Sequence, residues 1–171
     1  MKIVLVGYMG SGKTTVGKLL AKNKNLNFID LDEYIEESEG KTIPEIFEQK
    51  GEIYFRKKEF HYLQEVLLHK DNVVLSTGGG TPCYAGNMEV MLSATENVFY
   101  IKVGISELVS RLSLEKEHRP LIKNISDKEM PEFIGKHMFE RSYFYTKAHH
   151  TINVHNNTVS EVVESISDVL V

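Results

Sequence analysis

Short apolar runs alternate along this chain with stretches whose apolar residues recur at helical spacing. Lys2–Val6, Asn27–Ile29, Val73–Leu75, Val98–Lys102 and Thr151–Val154 are mostly short and rich in β-branched or aromatic side chains, which predicts five strands. Between them, spacings such as Val16–Leu19–Leu20 and Leu63–Val66–Leu67 line up apolar residues on one helical face. A Ser or Thr followed three residues later by Glu can satisfy two backbone donors at a helix start. Thr42 with Glu45, Ser126 with Glu129 and Thr158 with Glu161 have this form. The last opens a C-terminal helix carrying Val162, Val163, Ile166 and Val169. Alternating strands and helices predict an α/β sandwich on a mostly parallel sheet, and five strands without an internal repeat predict one doubly wound sheet. Residues 113–125 break the pattern, with Glu115, Lys116, Glu117, Arg119 and Lys123 around Pro120 and no amphipathic spacing. A charged connection of this length inside a compact domain is either a functional lid or disordered.

Composition narrows the function classes. A length of 171 residues fits one domain, and 42% hydrophobic residues suffice for a real core. No apolar run exceeds the four residues of Ile3–Val6 or Val98–Ile101, too short for a membrane span or a secretory leader. One cysteine, Cys83, cannot form an internal disulfide. A net charge of −4 with scattered lysines offers no footprint for nucleic acid. The expectation is a cytoplasmic, monomeric protein that binds neither membrane nor nucleic acid. Only four of the 20 basic residues are arginine: Arg56, Arg111, Arg119 and Arg141. Where lysine is the routine surface cation, arginine suggests a need for its bidentate fork.

The strongest chemical signal is Gly7-Tyr8-Met9-Gly10-Ser11-Gly12-Lys13-Thr14, which fits G-x-x-x-x-G-K-[ST]. Glycines let successive backbone N–H groups surround phosphate oxygens, and the following helix adds the positive end of its dipole. Lys13 is expected to bridge the β- and γ-phosphates, and the Thr14 hydroxyl to take Mg²⁺. Against a chance glycine turn stands the context, because the motif follows a predicted strand and opens a predicted helix.

The loop alone does not separate kinases from other nucleotide hydrolases. The usual hydrophobic strand ending in a metal-binding Asp is absent at Val73-Val74-Leu75-Ser76, whereas the second strand ends in acid at Asp30-Leu31-Asp32. Asp30 is either a helix cap, with Glu33 three residues on, or a carboxylate for hydrated Mg²⁺; Asp32 is then placed for an accepting hydroxyl. Thr77-Gly78-Gly79-Gly80-Thr81 follows the third strand at the end where open α/β sheets bind ligands. Three consecutive glycines there point to close backbone approach by a substrate.

Taken in order and spacing, Gly7–Thr14, Asp30 and Asp32, Phe55-Arg56, Gly78-Gly79-Gly80, Arg119-Pro120-Leu121, and Arg141 followed by Tyr143 resemble the shikimate kinase family. The resemblance runs from Lys2 to the C-terminal helix. It implies a nucleoside monophosphate kinase-like fold: a three-layer α/β sandwich with a five-stranded parallel sheet, a helical substrate-binding insert at 31–70 and a mobile lid at about 113–125. The core is then 1–30, 71–112 and 126–171. It further implies transfer of the ATP γ-phosphoryl group to the 3-hydroxyl of shikimate, in chorismate and aromatic amino-acid biosynthesis. By this resemblance Asp32, Arg56, Gly78, Gly79, Gly80 and Arg141 bind shikimate. Gly10, Ser11, Gly12, Lys13, Thr14 and Thr15 hold ATP with Arg111 and with Arg119 from the lid, and Lys13, Asp32 and Arg119 are the catalytic set. Thr14 and Asp30 serve Mg²⁺.

Elementary chemistry agrees. Shikimate carries one carboxylate, which two arginines can grip bidentately, and three hydroxyls that can donate to Asp32. The competing pictures are a solvated helix position for Arg56 beside Lys57 and Lys58, and an intrahelical partnership of Arg141 with His137 or neighbours of Glu140. One departure is that relatives often carry an arginine beside adenine where this chain has Asn156 and Asn157. His149, His150 and His155 lack the spacing of a metal site, Cys83 has no base beside it, and Tyr143, Phe144 and Tyr145 read as packing residues. The alternatives to shikimate phosphorylation are a gluconate-type sugar-acid kinase and a non-catalytic nucleotide-binding module.

Overall fold

The computed structural model describes residues 1–171. Its centre is a sheet of β1 (Lys2–Val6), β2 (Asn27–Asp30), β3 (Val73–Ser76), β4 (Val98–Val103) and β5 (His150–Val154). The order is β2-β3-β1-β4-β5 and every pairing is parallel. All five predicted strands are present. β1, β3 and most of β4 are buried on both faces, which is why they read as apolar runs rather than as alternation.

Eight helices flank the sheet: α1 (Lys13–Lys24), α2 (Leu31–Glu39), α3 (Ile43–Lys50), α4 (Glu52–His69), α5 (Asn87–Ala94), α6 (Ile105–Ser113), α7 (Met130–Tyr145) and α8 (Val159–Ser167). α1 packs on α8 and on β2 and β3, α4 packs on α2, α3 and α5, and α6 packs on α7. Thr42 and Thr158 form full capping boxes with Glu45 and Glu161. Ser126 does not start a helix. Its hydroxyl accepts from Glu129 N at 3.3 Å, but within a turn, and α7 begins at Met130. Pro131 explains the shift, because its fixed φ and missing N–H suit a first helical turn. α8 ends at Ser167, so Val169 lies beyond it and is exposed.

After Ser113, which ends α6, residues 114–125 contain only a 3₁₀ turn at Lys116–His118 and further turns. Ile122 is fully buried and Lys116 pairs with Asp127 at 2.5 Å, so the segment is pinned by one apolar side chain and one ion pair. The register sets Asp30 beside Ser76 and Ser76 beside Leu5, so β1, β2 and β3 end at one edge of the sheet. The phosphate loop, Asp30 with Asp32, and the glycine triplet leave from that edge.

Candidate active site

The loop from Gly7 to Gly12 joins central β1 to α1. Gly10 and Gly12 sit at φ +78° and +92°, a region that only glycine enters cheaply. α1 has no side-chain cap, which leaves its first N–H groups facing the loop. Lys13 is 8% exposed and curls back into its own loop, donating to Gly7 O at 2.7 Å and Tyr8 O at 2.9 Å. Burial lowers its pKa to about 8; Asp32 opposes the shift and Arg119 adds to it. Lys13, Asp32 and Arg119 therefore share one electrostatic neighbourhood, although they come from three distant segments.

Beside the loop is a cavity of about 380 Å³ lined by Gly10, Gly12, Thr15, Arg111, Val154 and Asn157, among others. Arg111 is fixed in its lining, donating to Gly10 O at 3.1 Å and to Glu107 at 2.6 Å. The side chain of Asn157 is spent within its own turn, accepting from His155 N at 2.7 Å. Arg119 is held by Glu115 at 2.9 Å, and Glu115 itself lines the cavity.

Asp30 is the helix cap, and its second oxygen faces the phosphate loop. One carboxylate oxygen accepts from Glu33 N at 3.2 Å and caps α2, and the other accepts from the Thr14 hydroxyl at 3.0 Å. Together they offer a hydroxyl and a carboxylate at the loop's mouth, a hard-oxygen pair that fits an ion which keeps most of its own waters.

A second cluster of candidate residues is assembled from β2–α2, α4, the turn after β3 and α7. The glycine triplet forms its floor. A Cβ on Gly78 would lie 3.0 Å from an Asp32 carboxylate oxygen, and one on Gly80 would lie 3.1 Å from both terminal nitrogens of Arg56 and 3.3 Å from Arg141. The two guanidinium groups thus converge at one end of the floor and the carboxylate stands at the other. Desolvation, with Asp30 and Glu59 nearby, raises the Asp32 pKa to about 7, while Lys13 pulls it down. Arg56 is no solvated helix residue. It donates to Glu59 at 2.9 Å and stacks on Tyr84 at 3.8 Å. Arg141 makes no ion pair with any neighbour on its helix.

Several supporting residues went unread in the sequence. Glu59 is 1% exposed and accepts from both Arg56 and Thr81, each at 2.9 Å. Its signal was the Arg56-x-x-Glu59 spacing, one helical turn. Tyr8 bonds His137 at 2.8 Å and sets its ring 5.9 Å from Arg141, linking the phosphate loop to α7. Of the three aromatics ending α7, Tyr143 is exposed rather than packed, whereas Tyr145 is buried with its hydroxyl on Gly79 O. His150 stacks on Phe99.

A phosphate loop at the carboxyl edge of a parallel sheet, opening toward paired cations and an acid on a glycine floor, defines a small-molecule kinase of the phosphate-loop class. The chain belongs to the shikimate kinase family, whose pattern matches residues 9–171. It is 46% identical over 169 residues to the shikimate kinase of Flavobacterium psychrophilum, covering 99% of this chain and 98% of that one. The crystal structure of shikimate kinase from Bacteroides thetaiotaomicron superposes with a TM-score of 0.90 at 39% identity, covering 98% and 97% of the two chains. Shikimate kinase from Acinetobacter baumannii, solved in complex with shikimate, gives 0.87 at 33% identity, covering 98% and 90%. No helix is long and apolar enough to cross a membrane.

Proposed function

We propose that the protein transfers the γ-phosphoryl group of ATP to the 3-hydroxyl of shikimate, giving shikimate 3-phosphate and ADP in the route to chorismate and the aromatic amino acids. The observation that carries this reading is the convergence of Arg56 and Arg141 over Gly80 while Asp32 faces Gly78. A rigid ligand with a carboxylate at one end and hydroxyls at the other matches that polarity. Family membership and full-length identity to shikimate kinases weigh against a sugar-acid kinase and against a module that transfers nothing.

The geometry supports the following division of labour. The loop N–H groups of Gly10, Ser11, Gly12, Thr14 and Thr15 cradle the phosphates, and Lys13 exchanges its backbone carbonyl partners for phosphate oxygens. The base enters the neighbouring cavity past Arg111. Thr14 and Asp30 would hold Mg²⁺, which would supply charge neutralisation for the phosphates. Asp32 orients the attacking hydroxyl and, with a pKa of about 7, is matched to receive its proton near neutrality. That oxygen forms the new bond to phosphorus as the bond to the β-phosphate breaks. Segment 31–70 carries the acceptor side, and 113–125 closes as a lid, moving Arg119 from Glu115 to the transferring phosphoryl group and excluding water. The enzyme works as a monomer in the cytoplasm.

An ADP-release assay with shikimate, gluconate or no acceptor tests this. Release should depend on shikimate and require Mg²⁺. A preference for gluconate, or equal release without acceptor, overturns it.

A further inference from the structure

Tyr84 is a large aromatic residue that the core does not absorb, with 37% of it exposed. The face of its ring meets the Arg56 guanidinium, whose central carbon lies 3.8 Å from the ring centroid. Hydrogen bonds alone do not fix that guanidinium. One terminal nitrogen donates to Glu59 at 2.9 Å, but Nε is buried without a hydrogen-bond partner, and the Glu52 carboxylate stands 3.8 Å from it. A planar fork held at one corner can still pivot about that bond. Arg141 adds a push, since nitrogens of both guanidinium groups come within 3.3 Å of where a Gly80 Cβ would be, and two like charges share one small volume. The turn that presents Tyr84 is anchored to the same acid. Thr81 donates to the second oxygen of Glu59 at 2.9 Å, a 3₁₀ turn runs to Cys83, and Asn87 N donates to Tyr84 O at 2.9 Å. Ala85 follows at φ +52°, a left-handed conformation that is costly for an L residue, so the chain bends sharply just after the ring is placed.

We propose that Tyr84 is a positioning residue for acceptor binding, whose ring face holds the plane of the Arg56 guanidinium so that both terminal nitrogens meet the substrate carboxylate beside Arg141. This rests on the acceptor reading above. An aromatic face suits the task better than a second acid would. It covers the flat side of the guanidinium and leaves the edge donors to the ligand. Its negative quadrupole offsets part of the repulsion from Arg141. It carries no net charge, so it does not compete with the carboxylate for the two cations. Glu59 therefore supplies one edge contact, and the ring supplies the plane.

Tyr84→Leu tests the proposal, with Tyr84→Phe as the conservative control. In Tyr84→Leu the KM for shikimate should rise about fivefold, with the KM for ATP and kcat staying within about twofold of wild type. Tyr84→Phe keeps the ring face and should match wild type. Added to Arg56→Gln, Tyr84→Leu should lower kcat/KM for shikimate no further, because the fork it steadies is gone. An unchanged shikimate KM in Tyr84→Leu overturns the proposal, and so does a Tyr84→Phe variant as impaired as Tyr84→Leu. An additive loss in the double variant overturns it too, since the ring would then act on the acceptor without Arg56. So does a parallel rise of both KM values with a lowered Tm, which would mark a scaffold role. Wild type in the same assay separates the two readings. If shikimate does not stimulate its ADP release, the acceptor reading fails and takes this proposal with it; a responsive wild type matched by Tyr84→Leu removes the role of Tyr84 alone.

Discussion

The two halves of the active site are built in opposite ways. The nucleotide half is one continuous stretch, Gly7 to Thr15, and its contacts are largely backbone: N–H groups, two left-handed glycines, and a lysine whose present partners are main-chain carbonyls. The acceptor half draws Asp32, Arg56, Gly78–Gly80 and Arg141 from four segments, and its contacts are charged side chains fixed by other side chains. Backbone donors bind any polyphosphate, so the first half supplies a general chemistry. In the proposed function, side-chain charges at set positions select one acceptor, so the second half supplies specificity. Lesions in the two halves should therefore leave different kinetic signatures.

Lys13→Ala should be the most damaging change, lowering kcat by at least roughly 10³-fold while circular dichroism stays native. A folded variant with full activity would remove the loop from the chemistry. Arg119→Ala should lower kcat by about 10²–10³-fold and leave shikimate affinity, measured calorimetrically, nearly intact. Unchanged turnover at saturation would pass the phosphate-clamping role to Arg111. On the acceptor side, Arg56→Lys or Arg141→Lys keeps the charge but loses the fork, at about 1–3 kcal/mol of shikimate binding. The KM for ATP should stay near wild type in both. If it rose in step, the two halves would not be separable as argued.

The smallest effects are those of Asp32 on stability, and they sharpen the comparison through pH. Its carboxyl titrates near pH 3.8 when unfolded and near about 7 in the folded chain. Below pH 3.8 both states hold the proton and nothing is lost. Between the two values only the folded state holds it, so stability falls as pH rises and the loss is complete above about 7. Asp32→Asn should therefore stabilise the ligand-free protein at pH 8, by on the order of 2 kcal/mol or about 4–8 °C in Tm, since burial also penalises the polar amide that replaces the carboxylate. A Tm unchanged or lower would show the carboxylate to be well solvated. In wild type, kcat/KM for shikimate should fall about tenfold per unit below pH 7, and that limb should be missing from the residual activity of Asp32→Asn.

The nucleotide half could be read directly because a phosphate nest is local: successive N–H groups need glycines in a fixed order, and the order is the motif. The strands were legible for a similar reason, since burial on both faces demands short apolar runs. Where the reading slipped, competition within a short stretch was responsible. At Ser126 the capping pattern lost to Pro131, and Asp30 proved able to serve a cap and Thr14 at once because a carboxylate has two oxygens.

The acceptor half had to wait for the fold. Arg56 and Arg141 are 85 residues apart in sequence, and nothing local to either says that both end over Gly80. Nor does any pattern show that Glu59 is buried between Arg56 and Thr81, or that Tyr145 rather than Tyr143 turns inward. Sequence determined which groups exist and which elements carry them, because propensity, capping and periodicity act over a few residues. Tertiary structure alone decided which charges meet, how far water is removed from them and hence where Asp32 and Lys13 titrate, because Coulomb interaction and desolvation depend on distance through space, not along the chain.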